Sequence, residues 1–250
     1  MRTSIIGLSA FALAAAATPA LAQDDSKEFM LTGSAALVSE YRYRGISQSG
    51  RHVAAQASAT IAHSSGFYGS FWASSIDDYV AAGADAEVDL IAGYSTTVSG
   101  LTFDGGVLYY TYTSAAKKVN TDFFEAYGSV KAPVGPVTLK AGFAYAPKQA
   151  ALTLTGAKLD NLYLYTDGSF AIPETPFAFS GHLGYSKDES FLTGGKKYLD
   201  WNVGATYSWR AATFGMSYVD TDVPKGFIVN PASGKDMAKA AVVISATYAF

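Results

Sequence analysis

The sequence predicts an all-β fold, a transmembrane antiparallel β-barrel of about 12 strands with short turns at one end and longer loops at the other. Three observations point there. The chain opens with an export leader, the remainder alternates apolar and polar residues, and its connections alternate between short and long.

The leader comes first. Arg2 supplies a positive start, Ile5 to Ala17 is an apolar run broken only by small residues, and Ala20-Leu21-Ala22 is a small-x-small cleavage pattern. Cleavage is expected between Ala22 and Gln23, giving a signal peptide over 1–22 and a barrel over 23–250. A retained anchor helix is the weaker alternative, because a spanning helix needs about 20 apolar residues. Beyond the leader, 17 basic residues face 21 acidic ones. That balance gives no basic patch for nucleic acid and no acidic tail for a charged partner. Cysteine is absent, and a barrel closed by its own hydrogen bonds needs no disulfide. No later apolar run is long enough for a membrane helix.

Period-two alternation then marks the strands in order. The first segment, 29–41, places Phe29, Leu31, Gly33, Ala35, Leu37, Ser39 and Tyr41 on one face. Segments 53–63, 67–76 and 86–96 follow, and in 101–112 the set is Leu101, Phe103, Gly105, Val107 and Tyr109. After 122–132 come 137–146 with Val137, Leu139, Ala141, Phe143 and Tyr145, then 160–171. Segment 177–185 carries Phe177, Phe179, Gly181, Leu183 and Tyr185, and 199–209, 213–219 and 239–250 complete the set. Most exceed the roughly 5–6 residues of soluble strands and approach what a tilted strand needs to cross a bilayer. Short connections at Ser64 to Gly66, Val98 to Gly100, Pro133 to Pro136, Pro173 to Pro176 and Arg210 to Ala212 alternate with long ones at 42–52, 77–85, 113–121, 147–159, 186–198 and 220–238. A soluble sandwich has no reason to sort its connections in this way. The long loops are expected outside the cell, the turns in the periplasm.

Aromatic residues collect where a bilayer meets water. Tyr41, Tyr109, Tyr145, Tyr185 and Tyr218 lie at the loop ends of the apolar face. Phe67, Tyr94, Phe170, Phe177, Trp209, Phe214 and Phe250 lie at its turn ends. β-Propensity alone would not gather the tyrosines at one end. Outer-membrane barrels commonly end in an alternating strand with a final aromatic that the assembly machinery reads, so Tyr248 and Phe250 are expected to be the assembly signal.

The run Ser39-Glu40-Tyr41-Arg42-Tyr43-Arg44-Gly45-Ile46-Ser47-Gln48-Ser49 resembles the TorF family of outer-membrane porins. So do Gly66-Phe67-Tyr68-Gly69-Ser70-Phe71-Trp72-Ala73-Ser74-Ser75, Glu87-Val88-Asp89-Leu90-Ile91-Ala92-Gly93-Tyr94, Leu108-Tyr109-Tyr110-Thr111-Tyr112 and Glu125-Ala126-Tyr127. Where Pro-Gly often follows the Tyr-Thr-Tyr stretch, this chain has Thr113-Ser114. The resemblance is most specific over 33–130 and implies fold and outer-membrane location more than any solute.

The candidate site is the lumen. Its acids by parity are Glu40, Glu87, Asp89, Asp104, Glu125, Asp167 and Asp200, and its bases are Arg42, Lys131, Lys140 and Lys239. Arg or Lys facing lipid would cost about 2–4 kcal/mol at midplane, so these charges belong inside or at the rims. Tyr68, Trp72, Tyr110, Tyr112, Phe123, Tyr127, Tyr163 and Tyr165 share that face, to narrow the passage or to stack a solute. Arg42, Arg44 and Arg51 could bind lipopolysaccharide phosphates or a constriction-zone anion, or belong to a solvated or lumen-folded loop that braces Glu40. Asp77, Asp78 and Asp85 lack the fixed spacing of a calcium loop.

Catalytic signals are weak. His52, His63 and His182 fall on separate segments, no Gly-x-Ser-x-Gly occurs, and Thr193 to Lys197 lacks the ends of a phosphate loop. The expected function is passive diffusion of small hydrophilic solutes through a narrow, weakly cation-preferring lumen, with no cofactor, no metal and no enzymatic activity. Expected partners are membrane lipids, lipopolysaccharide, the assembly machinery and the solutes, not nucleic acid. A non-conducting barrel with a structural or surface-binding role is the alternative, and an outer-membrane hydrolase the third reading. Oligomeric state is left open.

Overall fold

A computed structural model describes residues 28–154 and 156–250, so the cleavage expected between Ala22 and Gln23 lies outside the described residues. Alternation becomes wall. The strands are β1 (Phe29–Val38), β4 (Ala54–His63), β5 (Phe67–Ser75), β6 (Ala86–Val98), β7 (Leu101–Thr113), β8 (Phe123–Val134), β9 (Val137–Leu154), β10 (Ala157–Ala171), β11 (Phe177–Ser186), β12 (Tyr198–Trp209), β13 (Ala212–Thr221) and β14 (Ala241–Ala249). Each pairs antiparallel with its sequence neighbour, and β14 returns to pair with β1, closing a barrel of twelve strands as expected. A two-residue pair, β2 (Arg42–Tyr43) and β3 (Ile46–Ser47), stands apart from the wall.

The outward face is apolar. Leu31 is 72% exposed, Val203 60% and Ile244 58%. A water-soluble monomer does not present such a continuous belt, whereas lipid would cover it. Short turns suit their residues: Val98 and Leu101 pair across Ser99-Gly100, both at positive φ (52° and 82°), the backbone a two-residue hairpin requires. Rim tyrosines anchor at the loop end by donating to an aspartate nearby: Tyr109 to Asp122, Tyr145 to Asp160 and Tyr218 to Asp220, at 2.8–3.2 Å.

Four expectations change. β1 ends at Val38, not at residue 41, because Ser39 caps the seam by exchanging bonds with Ile244 and the chain then turns into the barrel. Tyr41 therefore points inward and is not part of the aromatic girdle; it is 3% exposed and donates to Glu87 at 2.7 Å. Most of the expected loop 147–159 is strand, an extension of the β9–β10 hairpin that carries register shifts around Leu159. Lys239 precedes the last strand, is exposed at the rim, and is not a lumen base.

The closing seam involves the last residue. Phe250 N–H donates to the Gly33 carbonyl at 3.0 Å, and Gly33 N–H donates back at 2.9 Å. The ring covers Gly33 from outside; a Cβ there would lie 2.6 Å from it. Phe250→Ala keeps both backbone bonds, so it should cost about 1–2 kcal/mol by lost apolar burial. Deleting Phe250 removes the bonds as well and should cost clearly more in a urea titration of refolded protein. Equal losses would show that the ring alone seals the seam.

Candidate functional site: the lumen and the first-loop hairpin

Strand parity places the expected lumen residues inside, but not at one depth. Glu87, Asp89, Glu125 and Asp200, toward the loop ends, are all at most 3% exposed. Asp104, Lys131, Lys140 and Asp167, further toward the turns, are only half-buried. The lumen is thus filled at the loop end and reached by solvent at the turn end.

What fills it is the first loop. Expected as an outward-facing loop, with a lumen-folded one as the alternative, 42–52 folds inward as the hairpin β2–β3. Its turn, Arg44-Gly45, has both residues at positive φ (47° and 80°). Gly45 is required by space as well, since a Cβ would lie 2.9 Å from Asp200 Cβ. The tip carries Arg44 across to the far wall. Its Nη2 donates to both carboxylate oxygens of Glu125 (2.7 and 2.9 Å) and its Nη1 to Asn161 (2.9 Å). The guanidinium lies 4.2 Å from the Tyr163 ring centroid, and Tyr198 donates to the Arg44 carbonyl at 3.0 Å. β8, β10 and β12 all hold one residue.

The base of the hairpin is braced too. Arg42 pairs with Glu40 at 2.9 Å and donates to the Gly45 and Lys239 carbonyls, both at 2.7 Å. Of the readings for the arginine cluster, bracing Glu40 is the one Arg42 displays. Two other loops clamp the hairpin from above. Asp77 N–H donates to the Gln48 carbonyl (2.8 Å), Ser47 N–H to the Met237 carbonyl (3.0 Å), and Tyr79 to the Ser47 carbonyl. Burial pushes the Tyr79 hydroxyl above its ordinary range, so it remains a donor. Ile46, Tyr198, Val223, Met237 and Ala238 form a small apolar core in this cap. The β9 extension adds Leu152, fully buried against Leu108, Tyr110 and Phe123.

Below the hairpin the wall is two-sided. One arc is hydroxyl-lined, with Ser34–Ser58 at 2.8 Å and Thr60–Ser70 at 2.7 Å. The other carries charges and rings. Tyr68 donates to Asp104 at 3.1 Å and is hydrogen-bonded to Tyr127, Lys140 lies 5.2 Å from the Tyr165 ring, and His182 lies 2.6 Å from Asp167 and 2.8 Å from the Tyr163 hydroxyl. Several rings lie over glycines of the next strand. A Cβ at Gly106 would lie 2.6 Å from the Tyr127 hydroxyl, and one at Gly142 2.6 Å from that of Tyr165. A ring so placed occupies the missing side chain's room and stiffens the sheet. Sequence parity missed this pairing, although alternating Tyr and Gly on adjacent strands is its signature.

Asp89, like Glu40 Oε1, Arg42 Nε and the Ser186 and Ser190 hydroxyls, presents buried polar atoms without a hydrogen-bond partner. It is 0% exposed and is the carboxylate with neither oxygen answered. Asp77, Asp78 and Asp85 do not converge on an ion, and no group of three or more His, Cys, Asp or Glu suited to a metal occurs among the described residues.

The Arg44–Glu125 pair yields a direct test. Arg44→Ala leaves Glu125 buried without its cation and should cost about 3–5 kcal/mol. Arg44→Met with Glu125→Leu removes both charges and should recover much of that loss. A double-mutant cycle by denaturant unfolding measures it; strict additivity would mean that the pair does not hold the hairpin.

The barrel fold has counterparts among solved structures. The KdgM porin, in a complex with disordered oligogalacturonate, superposes with a TM-score of 0.56 at 9% identity, over 88% of this chain and 99% of that one. The NanC porin gives 0.55 at 13% identity, over 88% and 98%. An outer-membrane channel from Pseudomonas putida gives 0.51 at 9% identity, over 88% and 94%. At these identities the likeness is one of fold, that of outer-membrane porin barrels. No curated protein matches the sequence. With residues 22–250 matched to its profile, the chain belongs to the Gcw_chp family, described as bacterial proteins of unknown function.

Proposed function

We propose that the protein is an outer-membrane porin, of the kind the TorF resemblance implies, passing small hydrophilic solutes through a lumen that the first-loop hairpin constricts. The observation that carries this reading is the solvent-reached, hydroxyl- and charge-lined half of the lumen, enclosed by a wall whose outer face is apolar. A barrel serving only as scaffold has no need of a polar, water-reached interior. Porin barrels of the same fold support the reading.

In this proposal residues 1–22 are removed after export, the long loops face the outside with lipopolysaccharide around them, and Tyr248 and Phe250 are read by the assembly machinery. The selectivity residues are Glu40, Arg42, Glu87, Asp89, Asp104, Glu125, Lys131, Lys140, Asp167 and Asp200. Arg44 joins them and Lys239 leaves, so seven acids face four bases. In a confined lumen that excess attracts cations. The non-conducting alternative is favoured by one observation, the complete burial of the residues around the hairpin tip.

Planar-bilayer recording separates the two. The wild-type barrel should show small channel events with a cation preference that fades with salt, as the Debye length falls from about 10 Å at 0.1 M to 3 Å at 1 M. Arg44→Ala should enlarge the events several-fold, and Glu87→Gln with Asp89→Asn should move the reversal potential toward anions. A correctly folded barrel silent both as wild type and as Arg44→Ala would establish the non-conducting reading.

A further inference from the structure

Three carboxylates lie together on the buried side of the hairpin: Glu87, Asp89 and Glu125. Two are answered. Glu125 takes the Arg44 guanidinium and the Tyr110 hydroxyl (2.9 Å), and Glu87 takes the Tyr41 hydroxyl. Asp89 takes nothing, though it is fully buried. Its cross-strand neighbours are Trp72 and Tyr110, and Glu87 stands two residues away on the same face of β6. Arg44 is the cation of this group, and both of its carboxylate contacts go to Glu125. A buried carboxylate without a partner is unfavourable unless something neutralises it.

We propose that Asp89, with Glu87 beside it on β6 and Trp72 and Tyr110 across from it on the neighbouring strands, binds one exchangeable monovalent cation of alkali-metal size. Two features select that class. A divalent ion such as calcium takes 6–8 oxygen ligands, usually several carboxylates, whereas Glu125 is committed to Arg44 and no metal-holding group of three or more His, Cys, Asp or Glu is present among the described residues. The aromatic neighbours, Trp72 against Tyr41 and Tyr110 stacked on Phe123, keep bulk water from the place. The hairpin covers the place, so a bulky organic cation such as N-methylglucamine is kept out. The inference deepens the porin reading by placing a cation-binding point at the tightest level of the lumen, but its test needs no conduction.

The test is thermal unfolding of the refolded barrel in detergent, in potassium chloride and in N-methylglucamine chloride at equal ionic strength. Potassium should raise the wild-type Tm by about 4 °C or more, with a logarithmic dependence on its concentration. Asp89→Asn removes the unanswered charge with little change of shape, so it should fold and lose the potassium response. A wild type indifferent to the cation, as expected if Asp89 is simply protonated, overturns the proposal, as does an Asp89→Asn barrel that responds equally. Should Asp89→Asn not fold, wild-type crystals soaked in thallium(I), a potassium-sized anomalous scatterer, supply the second readout. A peak beside Asp89 supports the site and a flat map there refutes it. A barrel with the potassium response but no channel events would keep the cation site and remove the porin reading; the reverse result would do the opposite.

Discussion

The hydrogen bonds between β1 and β14 are what the rest of the structure depends on. Without them the chain is a curled sheet with two open edges, each presenting backbone donors and acceptors that lipid cannot satisfy. With them, wall residues are freed to choose sides by chemistry alone, apolar outward and polar inward. The seam is short on residues: Ser34 to Val38 pair with Ser245 to Ala249, and the last contact is made by Phe250 on Gly33 beyond the end of β14. Closure also fixes the size of the interior. Twelve strands lie between the roughly eight whose side chains nearly fill the lumen and the sixteen that leave an aqueous channel, so what enters the lumen decides whether it is open.

What enters is a hairpin held by polar contacts. Arg44 exchanges water for Glu125, Asn161 and two aromatic rings, an arrangement whose desolvation cost offsets most of its attraction. The pair adds position more than stability. It pins the tip of a four-residue turn against β8 and β10, while Arg42 and Glu40 set the angle at which the chain leaves β1. The wall, by contrast, is stiffened by Tyr rings laid over glycines of adjoining strands and by backbone ladders. One part of the site is therefore a rigid frame and the other is a seated segment whose contacts are side-chain contacts, so a few substitutions could unseat it without touching the frame.

The wall was legible because its signal repeats. Leu101 to Tyr109 or Phe177 to Tyr185 needs only a period of two, and an error of two residues at an end leaves the face unchanged. The hairpin itself was not legible, since Ser39 to Tyr41 continue the apparent alternation of β1 past its true end at Val38 and hide where the chain turns inward. Arginine before Gly45 is also a poorer turn signal than Asn or Asp would be, because a non-glycine residue at positive φ is uncommon unless its side chain is held. Arg44 is held by a glutamate 81 positions away, a contact that no local pattern reports. Lys239 failed as the end of β1 did: parity extended β14 two residues too far.

These differences separate two properties that a uniform channel would combine. Charge on the solvent-reached half is nearly balanced, with Lys131 and Lys140 among Asp104, Asp167 and the Asp-flanked His182, so that half discriminates weakly. Unbalanced charge sits at the buried level, where Glu87 and Asp89 lack a basic partner. Any resistance to passage is concentrated at that same level by the hairpin. In the proposed channel, a cation approaching from the turn end meets a nearly neutral vestibule and then a negative step, and in so confined a place a single carboxylate is screened far less than one in the vestibule. Selectivity in that proposed channel then belongs to the residues beneath the hairpin, while the contacts of Arg44 determine how often anything reaches them.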